Sequence, residues 1–433
     1  MPSPARCAAL RALRDASRGG GTLASALARP DVEALDERER AFAHELVLGV
    51  LRRRGWLDHV LLRLVERPLD RVAPQVRDVL RLGAYQLIFL RVAAHAAVSE
   101  SVDLARSVEP RAGGFVNAVL RRLLREGPPP EPDAAADPRA WLDSFGSLPP
   151  WLSERWLSRL GPERAVARAR ALLVPPPVHF RLNPRVPDAA RRLEAAGVRA
   201  EPTVVPGALT LVDGRLTPLA DEGVVYVQDE ASQLVARLAA GEGTVLDACA
   251  APGGKALLMA DAGGGRTRVV AAEASVRRVR TLARLRDRWG AHEVRVVAAD
   301  GRRPPFRTLF DVVLLDAPCT GLGTLARHPD IRWRLMPDDV ERQARRQAEL
   351  LAALAPLVRP GGRLVYATCS IEPEENEGVV GPFLEARPEF APEAPPDWAR
   401  AFAEGPFVRV EPASRPGDAF FAAILRRKAG VVT

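Results

Sequence analysis

Residues 244–260 constrain the fold more tightly than any other stretch of the chain. Thr244-Val245-Leu246 is a short apolar run, Asp247-Ala248-Cys249-Ala250-Ala251-Pro252-Gly253-Gly254-Lys255 is a turn of mostly small residues, and Ala256-Leu257-Leu258-Met259-Ala260 is apolar again. The first run reads as a buried strand, the glycine pair lets a ligand approach the backbone, and the last run opens a helix. Strand, glycine turn and helix make up the repeating unit of open α/β sheets. Such sheets bind nucleotide-like cofactors outside the carboxyl ends of their strands.

The pattern downstream supports this reading. Helical and strand-like segments alternate: helix 228–239, strand 244–248, helix 255–262, strand 268–272, helix 275–289, strands 293–298 and 310–315, a long helix 337–358 and strand 363–367. Two late strands follow at 407–410 and 418–425, the last with the option of pairing antiparallel. Alternation of this kind predicts a mainly parallel, doubly wound sheet over residues 226–433.

The first part of the chain is different. Residues 5–17, 36–54, 57–64, 74–90, 99–108 and 114–125 carry apolar residues at three-to-four spacing with no strand alternation, which predicts an all-α domain over residues 1–127. Gly127-Pro128-Pro129-Pro130-Glu131-Pro132-Asp133 begins a proline-stiffened linker, 128–140. Residues 141–225 then mix helices (150–160, 163–173, 187–196) with strands (178–183, 209–212), predicting a small α+β domain. Arg181, Asn183 and Arg185 are expected on one exposed strand edge, either touching RNA or simply forming a polar rim.

Composition narrows the partner and the compartment. The net charge of +8 suits a polyanionic partner such as RNA or DNA, although lysine occurs only at 255 and 428, so the basicity is almost all arginine and also fits solvated faces. Arginines that end helices, such as Arg52 to Arg54 and Arg121, Arg122 and Arg125, complement the helix dipole without any ligand. No apolar run is long enough to span a bilayer and no export signal is visible, so a cytoplasmic protein without membrane contact is expected. Cysteines 7, 249, 319 and 369 lack Cys-x-x-Cys spacing, so neither a disulfide framework nor a metal site is expected, and single reactive thiols become candidates.

Candidate site residues sit at strand ends. Glu273 ends the second strand of the sheet about twenty residues after the glycine pair, where a carboxylate reaches the ribose of a dinucleotide or of S-adenosylmethionine; a solvated or capping Glu is the alternative. Asp300 follows the third strand and is placed to meet an adenine or ribose. Neither Gly-x-Gly-x-x-Gly nor a phosphate-binding Gly-x-x-x-x-Gly-Lys-Ser/Thr loop is present, which favours S-adenosylmethionine over nicotinamide or nucleoside triphosphates. Asp316-Ala317-Pro318-Cys319 follows the fourth strand and Thr368-Cys369-Ser370 the fifth. Neighbouring strands lie about 5 Å apart, so an aspartate and two thiols would share one crevice beside the cofactor.

Such a set suits methylation of a pyrimidine at carbon 5. That carbon is a poor nucleophile until a thiolate adds to carbon 6 and makes the ring enamine-like. A carboxyl group near the ring nitrogen can hold the proton that balances the charge, and a second thiol or a water can help expel the sulfur afterwards.

At these residues the sequence resembles the Sun family of S-adenosylmethionine-dependent RNA 5-methylcytosine methyltransferases. The resemblance rests on Asp247 to Lys255, Asp316-Ala-Pro-Cys-Thr-Gly-Leu-Gly-Thr324, Arg327-His-Pro-Asp330 and Thr368-Cys-Ser370 followed by Glu374-Glu-Asn-Glu377. It implies that Cys369 attacks carbon 6, that Cys319 helps release the product and that Asp316 contacts the cytosine. It also implies cofactor contacts from Cys249, Ala250, Ala251, Pro252, Gly253, Gly254, Lys255, Glu273, Asp300 and Asp316, with Cys249 a small packing residue inside the turn. Leu82-Gly-Ala-Tyr-Gln-Leu87 and Val116-Asn-Ala-Val-Leu-Arg-Arg122 are similar to the NusB-like domain fused to bacterial 16S ribosomal RNA methyltransferases of this family. Two positions depart from the family pattern: Glu273 stands where Asp is frequent, and Ala256 where Thr is frequent.

The resemblance implies a monomeric enzyme whose first two domains hold naked or early-assembly 16S ribosomal RNA while an unstacked cytidine enters the crevice. A transfer-RNA cytosine methyltransferase is the same-chemistry alternative. A non-catalytic RNA-binding assembly factor is the alternative from another class, against which the two cysteines and Asp316 argue. A DNA methyltransferase would place its nucleophile in the Pro-Cys motif and has no use for the helical fusion.

Overall fold

The computed structural model describes residues 2–16, 22–66 and 68–429, and the chain divides into two compact units. Met1–Pro175 and Leu325–Met336 make up one; Pro176–Thr324 and Pro337–Thr433 make up the other.

The first unit is helical. Its main helices are Pro4–Ala16, Glu37–Leu62, Pro74–Phe89, Ala94–Val108 and Gly113–Glu126, followed by Pro138–Asp143, Pro150–Leu160 and Pro162–Ala171. Ser17, expected to end the first helix, lies outside the described residues. The separate helices expected at 36–54 and 57–64 are one, capped by Asp36, whose side chain accepts from the Glu39 amide. Gly55 suggests a break but has a packing role. A Cβ there would lie 2.7 Å from the Asp143 carbonyl and 2.8 Å from Ser147 Cα, so glycine lets that backbone close on the helix. Leucine and valine stripes from the first five of these helices form one core with Trp56 and Tyr85.

The segment Leu325–Met336 belongs to this helical core although its flanks lie in the other unit. Arg332 is fully buried and donates to the carbonyls of Ser147 (3.2 Å) and Leu325 (3.0 Å). The Trp333 indole donates to Leu51 O at 2.7 Å.

In the second unit, the described residues form two sheets. The smaller is antiparallel and contains β1 (His179–Leu182), β2 (Arg199–Pro202), β3 (Leu209–Asp213) and β4 (Val225–Val227) in the order β2-β3-β1-β4. β2 and β4 are not legible in the sequence: the first is a polar, largely exposed Arg-Ala-Glu-Pro, and the second has only three residues.

The structure corrects the expectation of an exposed edge at Arg181, Asn183 and Arg185. Arg181 and Asn183 are buried. Arg181 donates to Asp261 (2.8 Å) and lies over the Trp289 ring at 4.4 Å, while Asn183 Nδ2 donates to the carbonyls of Gly223 (2.7 Å) and Trp289 (3.1 Å). Arg185, partly exposed, donates to Asp261 at 3.0 Å. The outward face of this strand is covered by the larger sheet's helices, which the strand's own alternation cannot reveal.

The larger sheet contains β5 (Gly243–Asp247), β6 (Thr267–Glu273), β7 (Arg295–Ala298), β8 (Phe310–Asp316), β9 (Val358–Thr368), β10 (Phe390–Pro392), β11 (Ala403–Glu404), β12 (Phe407–Val410) and β13 (Phe420–Arg427). The order is β11-β12-β13-β9-β8-β5-β6-β7, with β10 on β13. β5 to β9 are parallel; β13 joins β9 antiparallel, the option read for the last strand. The long helix expected at 337–358 ends at Leu354, and β9 already begins at Val358, passing through Gly361-Gly362 before the apolar run that the sequence reveals. From β5 the chain winds one way to β6 and β7 and then returns to β8 and β9 on the other side. The order therefore reverses between β5 and β8, and a crevice opens at their carboxyl ends.

Candidate active site

Every sequence-predicted site residue lies at the carboxyl ends of β5 to β9 or in the loops that follow. Asp247 closes β5, and the turn to Lys255 leads into the helix Gly254–Ala262, with a cis bond between Ala251 and Pro252. Lys255 reaches across the crevice, its Nζ 2.7 Å from Asp316 Oδ2 at the end of β8 and 5.3 Å from the Phe420 ring centroid. Burial alone would lower the Lys255 pKa. Asp316, with smaller help from Asp247 and Cys369, outweighs that effect and raises it, so the ammonium is retained.

The two thiols meet as the strand register requires. Asp316 pairs with Ala367 across β8 and β9, and Cys319 Sγ lies 2.9 Å from Cys369 Sγ. The Gly323 amide donates to the Cys369 carbonyl at 2.9 Å, and a Cβ at Gly323 would stand 2.8 Å from that oxygen. Glycine at this point of the Cys-Thr-Gly-Leu-Gly run is thus what lets the loop after β8 lie against the loop after β9. Cys319 is held as a neutral thiol: its contact with Cys369 raises its pKa most, then burial, with Glu375 and Asp316 adding repulsion. Cys249 does not join the pair. Burial, with Asp247 next, pushes its thiol up to about 12, in keeping with a packing role.

The two outer carboxylates differ. Glu273, buried at the end of β6, accepts from the Ser275 amide at 2.9 Å and pairs with Arg278 at 3.2 Å. Asp300, beyond β7, is half exposed and held by Arg302, which lowers its pKa to about 2. The sequence reading gave neither arginine a role; both follow their carboxylates closely enough for sequence proximity to have been the available signal.

It also gave no role to two other groups. Asp247 is 1% exposed, and neither of its carboxylate oxygens has a partner in hydrogen-bond geometry. Burial, followed by Asp316, raises its pKa to about 7, while Lys255 and the Cys249 amide pull the other way. A buried acid left unpaired at the crevice floor suits a cationic ligand group. This is the observation on which the site fits S-adenosylmethionine, whose methionyl end carries an ammonium beside the sulfonium. Behind the thiols, Glu375 is fully buried and its pKa is raised by burial against the opposing effect of bonds from Ser370, Thr320 and Gln347. Arg327-His-Pro-Asp330 belongs to the helical unit, where Leu23 N donates to Asp330 at 3.3 Å. Among the described residues, no cluster of His, Cys, Asp and Glu could hold a metal ion, and no helix is long and apolar enough to cross a membrane.

Residues 236–426 match the family model described as 16S rRNA methyltransferase RsmB/F, and residues 3–125 match the NusB family. A Mycobacterium tuberculosis relative is 39% identical, the alignment covering 98% of this chain and 96% of the relative. The ribosomal RNA small subunit methyltransferase B of Pseudomonas putida is 36% identical over 88% of this chain and 89% of its own length. Among solved structures, PH0851 superposes with a TM-score of 0.78 at 26% identity, covering 97% of this chain and 99% of that one. With its NusB-like helical unit, its Rossmann-like sheet and a crevice suited to S-adenosylmethionine, the chain belongs to the RsmB/F family of RNA methyltransferases.

Proposed function

We propose that the protein methylates carbon 5 of a cytidine in small-subunit ribosomal RNA through a covalent bond between Cys369 and carbon 6. The observation that carries this reading is the pair of thiols 2.9 Å apart at the ends of adjacent parallel strands, beside the Lys255–Asp316 pair. A methyltransferase acting on an amine or hydroxyl has no use for two thiols there. S-adenosylmethionine, when bound, supplies the electrophilic methyl group. Asp247, Glu273 and Asp300 would hold its methionyl, ribose and adenine parts, and the Cys249 to Lys255 turn would pack against it.

In this reading the Cys369 thiol gives its proton to Asp316, its sulfur adds to carbon 6, and the ring's electrons move to carbon 5. Asp316, braced by Lys255, faces the pyrimidine edge and holds the proton that balances the charge on the ring nitrogen. Once carbon 5 carries the methyl group, it must lose its proton for the carbon–sulfur bond to break. Water takes that proton, and Cys319, a neutral thiol in contact with Cys369, is placed to donate to the departing sulfur. The helical domain at 1–127 and the unit proposed for 141–225, joined by the linker 128–140, would grip the RNA. A monomer acting in the cytoplasm on naked or early-assembly RNA completes the reading. The relatives' naming as small-subunit methyltransferases supports 16S over transfer RNA.

The test is methyl transfer to isolated ribosomal RNA combined with adduct trapping. Cys369→Ala should lose at least about 1,000-fold in rate and form no adduct, whereas Cys319→Ala should accumulate a Cys369–RNA adduct. Adduct that survives Cys369→Ala and vanishes in Cys319→Ala reverses the two roles. Mapping the modified nucleotide separates ribosomal from transfer RNA.

A further inference from the structure

The loop after β8 and the loop after β9 each deliver one thiol, and no covalent link holds them at their spacing. Besides the Gly323 amide on the Cys369 carbonyl, the two loops share one buried side chain. Glu375 Oε1 accepts from the Thr320 amide at 2.8 Å and from Gln347 Nε2 at 2.9 Å, while Oε2 accepts from the hydroxyls of Thr320 and Ser370. Thr320 directly follows Cys319, and Ser370 directly follows Cys369.

The neighbouring groups extend the same grip to the residue before each cysteine. Gln347 Nε2 also donates to Pro318 O at 2.9 Å. Asn376 accepts from the Thr368 hydroxyl at 2.6 Å and donates to Ser370 O at 3.1 Å. Tyr366, inside β9, donates to the Glu375 carbonyl at 2.5 Å. Glu375 is 0% exposed, so it touches neither RNA nor methyl donor.

We propose that Glu375 is a positioning residue, a buried clamp that fixes the Cys319 and Cys369 loops against each other so that both sulfurs address one pyrimidine ring. The proposal deepens the cytosine-5 reading given above. Its hydrogen-bond pattern makes a specific demand. Oε1 faces two groups that can only donate, so it must be an acceptor; Oε2 faces two hydroxyls, which can turn either way. A glutamine with its carbonyl at the Oε1 place and its amide at the Oε2 place satisfies all four contacts, whereas alanine satisfies none.

The experiment measures kcat for methylation of ribosomal RNA, normalised to the number of S-adenosylmethionine sites titrated in each preparation. E375Q should stay within a few-fold of wild type with an unshifted pH profile. E375A should lose about 100-fold in kcat per site while its methyl-donor affinity is unchanged, the cost of reacting groups displaced by about 1 Å. Trapping with RNA that carries 5-fluorocytidine should show the loss in the rate of adduct formation. If E375A does not fold, the double variant Thr320→Val, Ser370→Ala removes both hydroxyls and should lose about tenfold in kcat per site. A kcat per site equal to wild type in E375A, or in the double variant, overturns the clamp; so does E375Q as impaired as E375A. A wild-type protein that methylates RNA at an atom other than carbon 5 overturns the cytosine-5 reading, and the E375A to wild-type ratio still judges the clamp.

Discussion

Asp247 and Asp261 stand at opposite ends of the segment formed by the glycine turn and its helix. Both are nearly out of reach of water, and the fold treats them in opposite ways. Asp261 accepts from Arg181 (2.8 Å), Arg185 (3.0 Å) and the Trp289 indole (2.9 Å), and the Arg181 guanidinium lies 4.4 Å from the Trp289 ring centroid and 5.5 Å from that of Tyr226. Asp247 accepts from nothing in hydrogen-bond geometry. A buried carboxylate whose lone pairs are filled by the protein ties elements together. One left empty at a crevice floor raises the energy of the ligand-free state and waits for a cation. The difference separates scaffold from site more sharply than burial does, since Asp261 too keeps only 9% of its side chain exposed.

Each half of this contrast can be broken. The largest effect is expected at Asp261. Asp261→Ala leaves the Arg181 guanidinium buried without its carboxylate and should cost about 3–5 kcal/mol of stability, read by urea unfolding. Methyl-donor affinity per folded molecule should not change. Intact stability with weakened donor binding would put Asp261 on the functional side of the line.

The next effect is a pH dependence at Asp247. Its pKa in the fold, about 7, lies above the unfolded value of 3.8, so the folded state binds the proton more tightly. The stability this provides is complete below about pH 4 and is lost as the pH rises through 7. Relative to Asp247→Asn, the ligand-free wild type should therefore lose roughly 4 kcal/mol between pH 4 and pH 8, followed by paired melting curves. Parallel curves would mean that Asp247 is solvated or paired after all. The smallest effect concerns the ligand: at pH 8, Asp247→Asn should weaken S-adenosylmethionine about tenfold by calorimetry, although it stabilises the empty protein. Unchanged affinity would remove Asp247 from the donor site.

What the sequence reveals of this contrast follows from the range of the interactions. The strands of the parallel sheet are legible because each is an apolar run bounded by turn residues. The meeting of Cys319 and Cys369 is legible because both follow strands that alternation makes neighbours. Arg181 and Asn183 are misread because a polar residue on the outer face of a strand looks the same whether water or another layer covers that face. Asp261 lies within a helix whose other residues are mostly apolar, and nothing local announces its three distant donors. Glu375 sits in Pro-Glu-Glu-Asn-Glu, which has the composition of a solvated loop, yet the chain folds it beneath the thiols. In each case the missing information is the partner, supplied from tens of residues away.

The helical unit closes late in synthesis. Arg332 fills its interior, Trp333 caps the Leu51 carbonyl, and Arg52 donates to Ala326 at 2.9 Å. The ribosome must therefore have passed residue 336, and with it the strand and loop that carry Asp316 and Cys319, before the helices begun at residue 4 can complete their packing. A fragment cut at residue 175 keeps every helix of that unit up to Ala171 but lacks the plug that fills it. The two units thus mature in an interleaved order, and the helical part cannot be released as a finished body ahead of the half that carries the chemistry.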